Sequence, residues 1–154
     1  MIPLAIGYDP NALDLKNEVC KELKDLRFRY KDYGGDDPIY ANTAIKVAEA
    51  VSSGKHTRGI LICGTGIGMC IAANKVPGAY AAICSDVYST ERAVKSNNTN
   101  IMTLGSQVIG FKLARYLVRI WLFSKYSEGG RSEPKIQRIY QYEKDKRSGS
   151  SCTV

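Results

Sequence analysis

The sequence has one histidine, His56, and no cysteine pair in C-x-x-C spacing. Its five thiols, Cys20, Cys63, Cys70, Cys84 and Cys152, are scattered. That excludes a recognisable zinc ligand set, and an odd count argues against a disulfide framework. No metal and no cofactor are expected. No apolar run approaches the ~20 residues of a membrane span. The N-terminal "MIPLAIGYDP" has no basic segment before its apolar stretch, so it does not read as a signal peptide. The expectation is a cytoplasmic protein with no membrane partner. Basic residues do not interleave with aromatics along any one stretch, so no nucleic-acid partner is expected. Neither G-x-G-x-x-G nor the Gly-Lys-Ser/Thr of a Walker A loop occurs.

What is present is ordinary in amount and specific in arrangement. A length of 154 residues with 44% hydrophobic and 24% charged residues suits one domain with a sizeable core. The net charge of +7 is concentrated partly near the C-terminus, in "YEKDKRSGSSCTV". Such a balance fits small anionic ligands. Residues 1–142 are expected to form the domain and 143–154 a disordered basic tail. Cys20, Cys70 and Cys84 stand in apolar contexts and read as buried thiols.

Strand and helix signals alternate along the chain. Strands are expected at 3–8, 27–33, 59–63, 79–84 and 100–105. Helices are expected from Ala12 to Leu26, at 39–54, after Gly68 to Val76, at 87–97, at 111–123 and from Ser132 to Tyr142. This alternation predicts an α/β fold, a single Rossmann-like αβα domain of three layers with a five-stranded parallel sheet. Ligands of such sheets bind at the carboxyl ends of strands. Asp9, Cys63, Asp86 and Gly105 follow four of the strands and should share that rim.

"ILICGTGIGMCIAANK", residues 60–75, holds the main clue. A strand ends at Cys63, glycines follow at 64, 66 and 68, and a helix begins. One reading is a tight strand-to-helix turn with no ligand. The other is an anion site, because successive amides can converge on one oxygen and the helix start adds positive charge. The same features favour the thiolate form of a nearby cysteine. Cys63 is thus a candidate base or nucleophile, with Thr65 placed beside its sulfur. A hydrolytic cysteine needs a histidine partner. His56 lies in the polar stretch "SSGKHTRG" at the other end of the strand, where it is expected in solvent. A role in proton transfer therefore gains over hydrolysis.

At "CGTGIGMCIAANKVPG", "VYSTERAVKSNNTNIMTLGSQVIG" and "EGGRSEPKIQRI" the chain resembles the ribose-5-phosphate isomerase B family, which includes the galactose-6-phosphate isomerase subunits. The resemblance spans residues 3–142. It implies metal-independent interconversion of aldose and ketose phosphates by a dimer or tetramer with active sites between subunits. It also implies roles for residues. Cys63 matches the base that moves a proton between C1 and C2. Gly64, Thr65, Gly66, Ile67 and Gly68 match the loop that stabilises the enediolate. Asp9 and Tyr40 match groups that contact sugar hydroxyls. Asn97 matches an asparagine lent by the partner subunit, so the 87–97 helix should lie in the dimer interface. Arg131 matches a phosphate-binding arginine, and Lys135 stands where a second arginine is usual, without its bidentate fork.

Three positions depart from the family pattern. Pro10 replaces a histidine after the aspartate, Gln107 replaces an arginine of "GGRVIG", and Ser96 replaces the histidine to which ring opening is ascribed. Serine cannot shuttle a proton near neutrality as histidine does. A four-carbon sugar phosphorylated on O4 cannot close a furanose ring and needs no such acid. Relatives that share "YAN", "SNN" and "GGRS" act on erythrulose phosphate. Asp9 or a water held by Ser96 could still open ribose 5-phosphate. By family frequency, ribose 5-phosphate to ribulose 5-phosphate is placed first, and erythrulose phosphate or galactose 6-phosphate second. A non-catalytic sugar-phosphate binder and a nucleotide-binding domain of unrelated function stand as further alternatives. The intact Cys63-Gly-Thr-Gly run and the missing fingerprint argue against them.

Overall fold

The computed structural model describes residues 2–149. Five parallel strands, β1 (Leu4–Tyr8), β2 (Tyr30–Asp32), β3 (Gly59–Cys63), β4 (Ala81–Ile83) and β5 (Ile101–Gly105), form one sheet in the order β2-β1-β3-β5-β4. Six helices connect and follow them: α1 (Leu13–Asp25), α2 (Tyr40–Ser52), α3 (Ile67–Ala73), α4 (Val87–Lys95), α5 (Phe111–Phe123) and α6 (Glu133–Gly149). The three-layer α/β architecture expected from the sequence is the one observed.

The two faces of the sheet have separate cores. On one, α1, α4 and α5 bury Leu15, Val19, Leu23, Val94, Leu117 and Trp121 against Ile6, Ile60, Ile62 and Met102. On the other, α2 and α3 bury Val47, Val51, Met69 and Ala73 against Ala5, Leu61 and Ile101. Every residue of β3 and β5 is buried, as a strand covered on both faces requires. The helix after β1 therefore lies on one face and the helix after β3 on the other. Neighbouring strands whose connections leave in opposite directions open a crevice between their carboxyl ends. That crevice falls between β1 and β3, at Asp9 and Cys63.

Three expectations are corrected. The strand expected at 27–33 is only Tyr30–Asp32. Arg27 takes φ of +60° and its N–H, with that of Phe28, folds back to α1 carbonyls, so pairing starts later. The last helix does not stop at Tyr142; it runs to Gly149, so residues 143–149 of the expected disordered tail are helical. Glu143 anchors it, accepting from Gly78 N–H at 3.1 Å and from the Tyr80 hydroxyl at 2.8 Å. The remaining tail residues, Cys152 among them, lie outside the described residues. His56, expected in solvent, is buried at 2% exposure. One ring nitrogen bonds the Tyr33 hydroxyl at 2.8 Å and the other the Pro3 carbonyl at 2.6 Å, and the ring packs edge-on to Tyr33.

Candidate active site

β3 delivers Cys63 to the carboxyl edge of the sheet, where it is buried. Its Sγ accepts a hydrogen bond from Gly66 N–H at 3.2 Å. That contact needs the loop to double back within three residues, and Gly66 does so with φ of +80°, a conformation side chains disfavour. The Thr65 hydroxyl accepts from Ile67 N–H at 3.2 Å, which fixes it at the head of α3. Ser106 N–H and Gln107 N–H donate to the carbonyls of Cys63 and Gly64, at 2.8 and 2.9 Å. The loop is thereby clamped to the exit of β5. Gln107 lays its side-chain amide beside Gly64.

Two more groups converge on this loop. Tyr40, in the first turn of α2, sets its hydroxyl so close to Gly68 that any side chain there would collide with it. Asp9 N–H donates to the Ile62 carbonyl at 2.8 Å, so register places Asp9 alongside Cys63. One Asp9 oxygen accepts from Asn11 N–H at 2.9 Å and caps a single 3₁₀ turn. The structure thus brings together Asp9, Tyr40, Cys63, Thr65 and the glycines. Burial pushes Cys20 and Cys70 up and Cys84 up to about 12, so they stay protonated at neutral pH. Cys70 is half-buried rather than fully buried.

The second group lies elsewhere on the chain. A cavity of about 380 Å³ opens between α4 and the start of α6. Arg92, Lys95 and Ser96 line it from α4 and its end, and Arg131, Ser132 and Lys135 from the other side. Ser127 N–H donates to the Lys95 carbonyl at 3.1 Å and ties the connecting loop to α4. Among the described residues, no acidic side chain lines the cavity. Four cations and three serines make it an anion site in composition. None of Asp9, Tyr40, Cys63 or Thr65 lines it. Asn97 lines an adjoining cavity of about 470 Å³, along the β4 edge.

Of the residues that line this cavity, the sequence singled out Ser96, Arg131 and Lys135 but not Arg92 or Lys95. The available signal was spacing: Arg92 precedes Ser96 by four residues, which puts both on one helix face. Among the described residues, no cluster of three or more His, Cys, Asp or Glu side chains is placed to hold a metal ion.

Comparison with known proteins places the chain in one family. Residues 4–139 match the family model described as Ribose/Galactose Isomerase. The chain is 48% identical to D-erythrulose-4-phosphate isomerase of Pectobacterium atrosepticum, over 93% of this chain and 96% of that protein. It is 44% identical to ribose-5-P isomerase B of Listeria innocua, over 94% and 99% respectively. The fold superimposes on ribose-5-phosphate isomerase B of Clostridium thermocellum with a TM-score of 0.86 and 40% identity, covering 93% of this chain and 98% of that one. With its cysteine on a glycine loop and its cationic cavity, the chain belongs to the ribose/galactose isomerase family, as a sugar-phosphate isomerase of the ribose-5-phosphate isomerase B group.

Proposed function

We propose that the substrate is a four-carbon sugar phosphate, with D-erythrulose 4-phosphate and its aldose isomer as the pair interconverted. The observation that carries this reading is the fate of His56. The chain's only histidine is buried and bonded on both ring nitrogens, to Tyr33 and to the Pro3 carbonyl. Among the described residues the cationic cavity is lined by arginines, lysines, serines, Tyr88 and Gly130, with no histidine and no carboxylate to deliver a proton. A furanose needs a proton delivered to its ring oxygen before isomerisation. A tetrose 4-phosphate has its O4 esterified and is already open. This reverses the order in which the two substrates were placed from sequence. The Pectobacterium relative, named for erythrulose 4-phosphate, supports the change.

In this reading the Cys63 thiolate takes the proton from C2 of the aldose. The C2 electrons form the C1–C2 double bond, and the charge passes to O1, where the 64–68 amides hold it. A proton then passes from O2 to O1, and the enediolate takes the Cys63 proton back at C1 as C2 becomes the carbonyl. Asp9 and Tyr40 contact the hydroxyls. The phosphate lies between Arg131 and Lys135. Because the two groups of residues sit apart on one chain, the substrate is bound by Cys63 of one subunit and the cavity of a second. Exposed Ile67, Ile71 and Tyr88 beside them suit such an interface.

Ribose 5-phosphate is the second reading, favoured by the Listeria relative. It requires Asp9 or a water on Ser96 to open the ring. A turnover panel of erythrulose, ribose, allose and galactose phosphates tests the choice. The expected result is kcat/KM for erythrulose 4-phosphate at least about tenfold above that for ribose 5-phosphate. A ribose preference of that size refutes the proposal.

A further inference from the structure

Arg92 has no role in the scheme above, yet it is held with unusual care. Its Nη2 donates to Glu91 Oε2 at 2.8 Å, its Nη1 lies 3.5 Å from Ser96 Oγ, and its guanidinium stands 5.8 Å from the Tyr88 ring centre. Its Nε is shut off from solvent and has no hydrogen-bond partner among the described residues. A shielded donor with nothing to donate to is costly, and most such donors have an acceptor in the working state. Glu91 also holds the Lys95 ammonium at 2.5 Å, so one carboxylate faces two of the cavity's four cations. The charge around the cavity is only partly compensated.

The two walls of the cavity are not equivalent. Arg131 and Lys135 reach it from the loop before α6 and from the first turn of that helix. Arg92 reaches it from the middle of α4, on the opposite wall. A phosphate dianion has oxygens for both walls. A guanidinium whose orientation is already set by Glu91 and Tyr88 loses little freedom when it binds one. Resting on the reading of this cavity as the phosphate end of the site, we infer that Arg92 is itself a phosphate-binding residue. Its guanidinium contacts the anion from the α4 side and closes the site there.

The test uses the full chain and inorganic phosphate as the probe. Phosphate binding is measured by calorimetry and, separately, as competitive inhibition of sugar-phosphate turnover. Arg92→Met should weaken phosphate binding by about 10–100-fold, the worth of a charge-assisted pair. KM for the sugar phosphate should rise in step while kcat stays within about threefold, as for uniform binding. Arg92→Lys keeps a charge beside Glu91 but lacks the fork, and should fall between Met and wild type. It also serves as the readout if Arg92→Met does not fold. Phosphate affinity unchanged in either folded variant, or no phosphate binding by the wild type, overturns the inference. If calorimetry shows dependence on Arg92 while no sugar phosphate is turned over, the inference stands and the proposed function falls.

Discussion

In the glycine loop the polar groups around Cys63 are mostly backbone amides; between α4 and α6 the cavity is lined by side-chain cations. The first set is fixed by chain geometry. Gly66 holds its left-handed turn, and the β5 exit clamps Cys63 and Gly64 through two amide bonds. The second set is fixed by long side chains and by how α6 packs on the body. Preorganised amides suit one developing charge at one point, as in an enediolate. Cations on long side chains from two walls suit a full dianion, whose oxygens point both ways. The chemistry is therefore expected to depend on the loop and the choice of substrate on the cavity.

The sharpest way to separate the two is Cys63→Ala. Turnover should fall by about 10²–10⁴-fold, the usual worth of a positioned acid–base group. Phosphate affinity measured by calorimetry should not change. If activity stays near wild type, the base is another residue. If phosphate affinity falls with it, the two halves are not independent.

Gly66→Ala asks whether backbone geometry alone carries the loop. At φ of +80° an added Cβ would meet the Leu104 carbonyl carbon at 3.1 Å. The loop must shift, and with it the amide that meets the Cys63 sulfur. A kcat about 10–100-fold lower, with little change in KM, is expected. Arg131→Ala should do the reverse, raising KM about tenfold and sparing kcat. A loss confined to kcat in Arg131→Ala would erase the division of labour drawn here.

What could be read from sequence follows the same division. β3, its cysteine and the glycine loop form one contiguous stretch, and local rules describe them well. The rim at Asp9 and Cys63 followed from strand–helix alternation alone. Apart from the start of β2, which a local turn at Arg27 delays, failures came where a contact joins distant parts of the chain. His56 looked like a surface residue because its partners, Tyr33 and Pro3, are 23 and 53 residues away. α6 looked shorter because Glu143 is anchored by Gly78, 65 residues earlier. Spacing ties Arg92 to Ser96, but that it shares a cavity with Arg131 and Lys135 depends on how the start of α6 faces α4.

The smallest effect on activity is expected outside both halves, at Glu22. This side chain is 2% exposed and joins α1 to α5 through Arg115, at 2.8 Å, and Arg119, at 2.6 Å. Burial pushes its carboxyl up, but hydrogen bonds from Arg115 and Arg119 together outweigh that and leave it below its ordinary value of 4.5. A carboxyl depressed on folding adds stability that is fully present above the unfolded value and fades as pH falls through the folded one. Both arginines stay partly in water, at 34% and 52% exposure, and can turn to solvent when the pair is broken. Glu22→Gln should therefore cost only about 1–2 kcal/mol near pH 7. Denaturant unfolding from pH 7 down to pH 3 measures this directly. The gap between wild type and variant should be constant above pH ~6 and should close below pH ~4.5. Phosphate affinity and kcat should both be unchanged at pH 7. A loss of either in folded Glu22→Gln would mean that the α1–α5 clamp reaches the site, and that the fold and the two halves cannot be treated apart.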